Sequence, residues 1–268
     1  DKNLIAGLLF HYIESFDKAE EFFKKSEDSA QKEKEKAIAQ RWHADTYYRK
    51  ETYEDAIEIL TQKTLPLCEE LCDTFMVAQI KTDIANNLRR LKRFPEASRY
   101  VREAKELFEN KREEFIKGKS EEEYELEDAR CLNILGLVCY GGRDPSNPLL
   151  AIKEASRFCE ESRKIRERNG DVSMAAESEN AIGLILYEQA KYLSKFDKEK
   201  AIQLLKERSL EYFEKALDKK ERVGDYRGCQ QCYRNLGLVY DLLAELVPNE
   251  EKGKYQQPSL GVYEEEAN

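Results

Sequence analysis

The sequence predicts an all-α protein built as a solenoid of stacked helix hairpins, and three observations support this prediction. Hydrophobic residues make up 41% of the 268 residues and charged residues 37%, a mixture that favours helix over sheet. The chain contains only 12 Gly and 6 Pro, so few residues interrupt helices. A pattern of small and large residues recurs along residues 1–246. This length is sufficient to bury a core without disulfides or metals.

The clearest copies of the repeat are two segments that align without gaps, RNGDVSMAAESENAIGLILYEQA (168–190) and RVGDYRGCQQCYRNLGLVYDLLA (222–244). In each segment a glycine suits the left-handed position that ends a helix, and the next aspartate suits the N-cap of the following helix. Apolar residues then recur at helical spacing. Each segment therefore predicts a tight turn followed by the first helix of a hairpin.

A second small residue lies in the middle of each predicted first helix, 13 residues after the turn glycine in the two copies above. Glycine inside a helix costs about 1 kcal/mol relative to alanine. The usual reason to accept this cost is the close approach of a neighbouring helix. We therefore predict six packing notches, each followed three residues later by a larger side chain: Gly7, Ala44, Ala85, Gly136, Gly183 and Gly237.

This small-then-large pattern resembles the tetratricopeptide repeat (TPR) family, whose unit is a helix hairpin with small residues at fixed positions. The resemblance covers residues 1–246 as about five and a half to six units. It implies a right-handed superhelical solenoid of stacked antiparallel helix hairpins. The long units, with their Gly-Asp turn and Asn-Leu-Gly motif, are similar to the subclass found in kinesin light chains, spindle scaffold proteins and prokaryotic signalling proteins.

Three segments account for the extra length of the units. We expect KREEFIKGKSEEEYELED (111–128) to lengthen the outer helix of the third unit or the loop after it. The segment GGRDPSNP (141–148) predicts a turn between the helices of the fourth unit. AKYLSKFDKEKAIQLLKER (190–208) should extend one or both helices of the fifth unit.

The resemblance implies that the first helix of each unit lines a concave groove. Asparagine offers both a donor and an acceptor to an extended peptide backbone, and arginine binds carboxylates or phosphates. A competing explanation is that these side chains are polar only because the groove is hydrated. Counting from the notches, we predict the following groove residues: Arg41, Asp45, Gln79, Asn86, Arg130, Asn133, Asn180, Gln231, Arg234 and Asn235. The sequence thus predicts a non-catalytic protein–protein interaction module for an extended peptide, which would be acidic, or a partner helix.

The last segment, residues 247–268, is an acidic tail that contains Pro and Gly and has no helical pattern. We expect it to be disordered or docked in a groove. Its YQQPSLGVYEEE stretch is extended, aromatic and acidic, so the protein's own tail is one candidate ligand.

The sequence predicts no catalytic residue, no metal site and no cofactor. Cys229 and Cys232 lie three apart on one predicted helix, and the similarly spaced Cys68 and Cys72 belong to a distant unit, so the two pairs would not share a zinc ion. We interpret Cys229, Cys232, Cys131, Cys139 and Cys159 as packing residues. No phosphate-binding loop or metalloprotease motif occurs. The alternative is an enzyme or metal protein whose site forms only in the fold.

The overall charge of −9 and the pI near 5.2 argue against nucleic acid or an anionic membrane as the partner. Seven cysteines, an odd number, fit a reducing compartment, and we expect a cytoplasmic protein. The chain begins directly with a repeat, so we expect a fragment of a longer protein. The second hypothesis is therefore a sensor or oligomerisation arm of a larger signalling or regulatory protein; no particular oligomeric state follows.

Overall fold

The computed structural model describes residues 1–144 and 148–256, and every regular element in these ranges is helical. The prediction of an all-α fold is confirmed. The chain divides into two compact units, Asp1–Glu127 and Asp128–Asn268. None of the described helices combines the length and the apolar character that a membrane crossing demands.

The first unit is a run of helices in which neighbours along the chain pack as hairpins. α1 pairs with α2, α3 with α4, and α6 with α7. A π-helical turn, Leu60–Thr64, joins α4 to α5, so these two form one outer helix. The helices are α1 (Lys2–Tyr12), α2 (Phe16–Ser29), α3 (Glu33–Arg49), α4 (Tyr53–Ile59), α5 (Leu65–Glu70), α6 (Thr74–Arg90), α7 (Phe94–Asn110), α8 (Arg112–Gly118) and the start of α9 (Glu121–Gly141).

The second unit continues the same pattern with longer helices. It holds the rest of α9, followed by α10 (Leu149–Arg168), α11 (Val172–Leu193), α12 (Lys198–Leu204), α13 (Leu210–Val223) and α14 (Tyr226–Leu246). α11 packs against both α10 and α13, and α13 packs against α14. The predicted turn at 141–148 lies between α9 and α10, although residues 145–147 fall outside the described ranges.

The tight turns before α11 and α14 are confirmed. Gly170 and Gly224 both have φ of +71°. Asp171 and Asp225 cap the next helices, because their carboxylates accept hydrogen bonds from backbone N–H groups three residues later, at 3.2 and 2.9 Å. The same left-handed position is occupied elsewhere by non-glycine residues, at some cost in backbone strain. These are Glu14, Glu51, Cys72 and Lys92, with φ between 53° and 63°.

The small residues at the predicted notches are all buried. A Cβ atom added at Gly7 would lie 2.6 Å from the Phe23 ring, and one at Gly183 would lie 2.8 Å from the Phe213 ring. At Gly136 the nearest atom would be the sulfur of Cys159, at 2.6 Å. At these three positions the facing helix therefore occupies the space that a side chain would need. The assignment of all six positions as notches stays a prediction.

The long insertions fold differently from each other. In the third unit the expectation of a longer outer helix or loop is wrong, because 111–128 forms the separate short helix α8 and the first two turns of α9. Phe115 of α8 is buried against Phe75 and Phe108, which explains why this segment folds back. In the fifth unit both helices are extended: α11 runs to Leu193, and α12 continues through a π-helical turn into α13.

The chain after α14 stays in contact with the second unit as far as it is described. Val247 is buried, and Tyr255 packs against the apolar cluster that contains Leu242 and Leu243. The Lys206 ammonium lies 5.1 Å from the centre of the Tyr255 ring. Residues 257–268, on which the prediction of a disordered or docked tail depends, lie outside the described residues.

The Gly183 contact predicts a large cost for a side chain at this position. We expect Gly183→Leu to lower the free energy of unfolding by about 1–3 kcal/mol or more, because the buried Phe213 ring must move. Gly118→Leu is the matched control, since nothing lies within 4 Å of a Cβ there, and its effect should stay within about 0.5 kcal/mol. Denaturant unfolding measures both, and equal midpoints would contradict the notch assignment.

The turn conformations predict substitutions of opposite sign. Lys92→Gly should raise the free energy of unfolding by about 0.5–1 kcal/mol, because glycine relieves the strain of a left-handed L-residue. Gly224→Ala should lower it by a similar amount. Within the described residues the Lys92 side chain forms no hydrogen bond, and glycine has none to lose, so thermal unfolding of the two variants isolates the backbone effect. Two shifts of the same sign would show that backbone strain does not govern these turns.

Candidate functional site

Three of the predicted groove residues of the first unit, Arg41, Asp45 and Asn86, contact neighbouring polar side chains. The Arg41 guanidinium lies 2.8 Å from the Asp83 carboxylate and 3.7 Å from that of Glu127. Asp45 pairs with the His11 imidazole at 2.9 Å. The charge of Arg41 is therefore already balanced by two carboxylates. This weakens the sequence-based expectation that Arg41 receives an acidic ligand.

Gln79 and Asn86 are the remaining two predicted groove residues of this unit. Gln79 is buried. Asn86 is half-buried, and its side-chain oxygen accepts hydrogen bonds from the Arg89 guanidinium at 2.9 and 3.2 Å. The Asn86 oxygen is therefore already engaged within α6.

In the second unit the structure brings two predicted groove residues together. The Asn235 side chain on α14 donates a 2.8 Å hydrogen bond to the side-chain oxygen of Asn180 on α11. Asn235 is 7% exposed, whereas Asn180 is half-buried. In the part of the chain that the structure describes, the Asn180 amide N–H groups have no hydrogen-bond acceptor. The pair thus leaves two donors available on a fixed amide.

Asn133 and Arg130 lie on α9, at the corresponding part of the preceding hairpin. Asn133 is buried, and within residues 1–144 and 148–256 its side-chain oxygen has no hydrogen-bond partner. Arg130 is half-buried. A buried amide oxygen without a partner costs about 1–3 kcal/mol, and this penalty is removed when a donor reaches it. Asn133 is thus a second amide with unused hydrogen-bonding capacity.

Gln231 and Arg234 are the exposed members of the predicted set. They lie on α14, at positions that share one face of the helix with Asn235 because they are spaced by three and four residues. The candidate site of the second unit therefore combines α11 and α14 side chains. It consists of the Asn180–Asn235 pair flanked by an exposed amide and an exposed guanidinium.

Sequence reasoning missed a buried polar cluster that ties three helices of this unit together. Arg166 on α10 is 1% exposed and donates hydrogen bonds to the backbone oxygen of Met174 and the hydroxyl of Ser178, at 2.6 and 2.9 Å. Burial lowers the pKa of this guanidinium. Ser162 bridges Ser178 to the backbone oxygen of Ala129 on α9, at 3.1 and 2.6 Å. The i, i+4 spacing of Ser162 and Arg166 was the available signal.

A second buried charge lies next to Asn180. Glu179 is 2% exposed; one carboxylate oxygen pairs with the Lys219 ammonium at 2.7 Å, and the other has no partner in the described parts of the chain. Lys219 also pairs with Glu167 at 3.0 Å. Burial raises the pKa of Glu179 despite the Lys219 ammonium, which acts in the opposite direction. The α11 face is therefore anchored to α13 by an ion pair.

The cysteines show the features of packing residues. Burial raises the pKa of Cys232 to about 12 and that of Cys68 to about 11, and it also raises the pKa of Cys229. These thiols stay protonated at neutral pH, whereas metal binding and nucleophilic attack need thiolates. Across the described residues, no group of three or more His, Cys, Asp or Glu side chains is placed to hold a metal ion.

Comparisons with known proteins agree with this architecture. No family model and no curated protein matches the chain. Among solved structures, the apo form of RapI aligns with a TM-score of 0.61 and 14% identity, covering 98% of this chain and 82% of RapI. A Rap protein complexed with competence and sporulation factor gives a TM-score of 0.60 and 17% identity over 99% of this chain and 75% of that one.

BtubC from P. vanneervenii gives a TM-score of 0.57 and 16% identity, covering 94% of this chain and 89% of BtubC. The chain has a TPR-like fold. The resemblance found in the sequence is thus confirmed for the fold, as stacked helix hairpins of a solenoid. The membership in a long-unit subclass stays a prediction. At these low identities the shared property is the fold alone.

The burial of the Glu179 carboxyl predicts that the free energy of unfolding depends on pH. Because the pKa of Glu179 in the folded chain is raised, folding favours its protonated form, and this stabilising contribution is lost as pH rises through the folded-state pKa. Relative to Glu179→Gln, the wild type should therefore lose unfolding free energy as pH rises above about 4.3, the ordinary carboxyl pKa. Urea unfolding across pH measures this difference. Glu161→Gln, at an exposed carboxyl of α10, is the control; identical profiles for both variants would contradict the prediction.

Proposed function

We propose that the protein is a non-catalytic interaction module that binds an extended peptide along the α11 and α14 faces of its second unit. The observation that carries this proposal is the Asn180–Asn235 hydrogen bond, which fixes one amide and leaves its two donors unused. A peptide backbone presents carbonyl acceptors at regular intervals, and a fixed asparagine amide meets them at little entropic cost.

The flanking groups define the chemistry of the peptide. Gln231 offers a further donor and acceptor, and Arg234 presents an exposed guanidinium on the same helix face. A peptide with one acidic side chain or a terminal carboxylate would complement this arrangement. Of the ten predicted groove residues, we therefore assign four to the proposed peptide site: Asn180, Gln231, Arg234 and Asn235.

Proteins with this fold provide independent support. One of the aligned Rap structures is a complex with competence and sporulation factor, and the Rap conjugation gene regulator of plasmid pLS20, which aligns with a TM-score of 0.58 and 12% identity, is a complex with the Phr* peptide. The latter covers 99% of this chain and 73% of the regulator. A regulator that has this fold and binds a peptide also favours the second hypothesis, that the chain is the sensor arm of a regulatory protein.

The proposed setting is a reducing, cytoplasmic compartment without nucleic acid, membrane or cofactor. All seven cysteines are free thiols, and five of them are buried. The overall charge of −9 argues against nucleic acid and an anionic membrane as partners. The tail stays one candidate ligand, because it ends in an aromatic and acidic segment that would suit Arg234.

The test is a selection of peptides against the full chain. We expect a phage-displayed library of random 12-residue peptides to enrich a consensus that contains an acidic residue. Titration calorimetry with the synthetic consensus should show affinity that falls at least about tenfold in Gln231→Ala plus Arg234→Ala. A synthetic peptide of residues 257–268 is titrated in parallel to examine the tail.

The matched control is Gln230→Ala plus Arg222→Ala, which removes the same residue types from exposed positions outside the candidate site. It should leave the affinity within about twofold of wild type. Asn180→Ala then tests the fixed amide. Because it also leaves the buried Asn235 donor unpaired, it should lower the free energy of unfolding by about 1–3 kcal/mol. Failure of any peptide to enrich, or equal losses in both double variants, would reject the proposal.

A further inference from the structure

A cavity of about 320 Å³ lies in the second unit between the α9–α10 connection and the C-terminal end of α11. Its volume falls at the lower end of the range for small-molecule sites, about 300–1,000 Å³. Arg143 lines it from the connection, Glu188 and Lys191 line it from α11, and Lys195 lines it from the turn that follows α11. Its apolar walls are Pro148, Ile152 and Tyr192. None of the residues of the proposed peptide site takes part.

Two of the charged residues that line the cavity, Arg143 and Glu188, form an ion pair. The Arg143 guanidinium donates to the Glu188 carboxylate at 3.1 Å and to the backbone oxygen of Tyr140 at 2.7 Å. Its central carbon also lies 4.2 Å from the centre of the Tyr140 ring. Arg143 and Glu188 are therefore held as a pair, and the net charge of the cavity comes from the two lysines.

Lys191, in the last turn of α11, and Lys195, two residues after its end, are both exposed and both line the cavity. Two positive charges that line one cavity repel each other. In the described parts of the chain, neither ammonium group forms an ion pair or a hydrogen bond; they lie 6.0 and 5.8 Å from the rings of Tyr187 and Tyr192. An anion between them would remove the repulsion and supply the missing acceptors.

We propose that this cavity binds a small phosphate monoester with an apolar or aromatic body. The phosphate dianion matches the two lysine charges, and its oxygens accept hydrogen bonds from both ammonium groups. The cavity is larger than a phosphate group needs, so the organic body would rest against Ile152, Pro148 and Tyr192. This site would give the protein a small-molecule input that is separate from the proposed peptide site.

The experiment is a calorimetric titration of the full chain with phenyl phosphate, and with inorganic phosphate for comparison, at low ionic strength because salt screens exposed charges. We expect saturable binding of both, with phenyl phosphate several-fold tighter. Lys191→Ala plus Lys195→Ala should weaken the binding of both probes at least about tenfold, a loss of about 1.4 kcal/mol. Tyr192→Leu should reduce the preference for phenyl phosphate and leave inorganic phosphate unchanged.

The matched control is Lys198→Ala plus Lys200→Ala, which removes two exposed lysines of α12 that do not line the cavity. It should leave the affinity within about twofold of wild type. Thermal unfolding checks that both double variants are folded, and Lys195→Gln alone repeats the test with a smaller perturbation. Absence of saturable binding to the wild type, or an equal loss in the control, would overturn the proposal.

Discussion

A close contact between a helix glycine and an aromatic ring fixes two hairpins of this protein, α1 with α2 and α11 with α13. Phe213 occupies the space next to Gly183 that a Cβ atom would need, at 2.8 Å, and Phe23 does the same at Gly7. This approach brings the Ser209 hydroxyl within 3.0 Å of the Gly183 backbone oxygen. It also aligns the apolar cluster that includes Tyr187 and Val239. The position of α11, and hence of its polar face, depends on this contact.

Polar groups of the second unit then divide into two kinds. Arg166 and Glu179 are buried and satisfied mainly by neighbouring helices. Their removal would leave an uncompensated partner in a region of low dielectric constant, which is why such groups act on stability. Asn180 and Gln231 instead keep hydrogen-bonding groups that nothing in the described chain uses. The second kind can bind a ligand without breaking a contact between helices.

The fold by itself does not determine the ligand, because TPR-like solenoids of low mutual sequence identity share an architecture and not a binding specificity. The two proposed sites of the second unit use this architecture differently. The peptide site combines side chains of two successive first helices, α11 and α14. The phosphate site instead lies at the end of α11, where a connection approaches the helix. A solenoid can carry both because each hairpin contacts mainly its neighbours.

The sequence by itself determined the fold class, the turns at Gly170 and Gly224 and the small residues that the helices bury. These features depend on residues close along the chain, and a single residue type satisfies each local requirement. The tertiary structure alone decided which polar side chains pair: Arg41 with Asp83, 42 residues away, and Asn180 with Asn235, 55 residues away. Such pairs depend on the register between helices, which is set by packing and leaves no periodic signal in the sequence. For the same reason, α8 folded back through Phe115 instead of lengthening its neighbour.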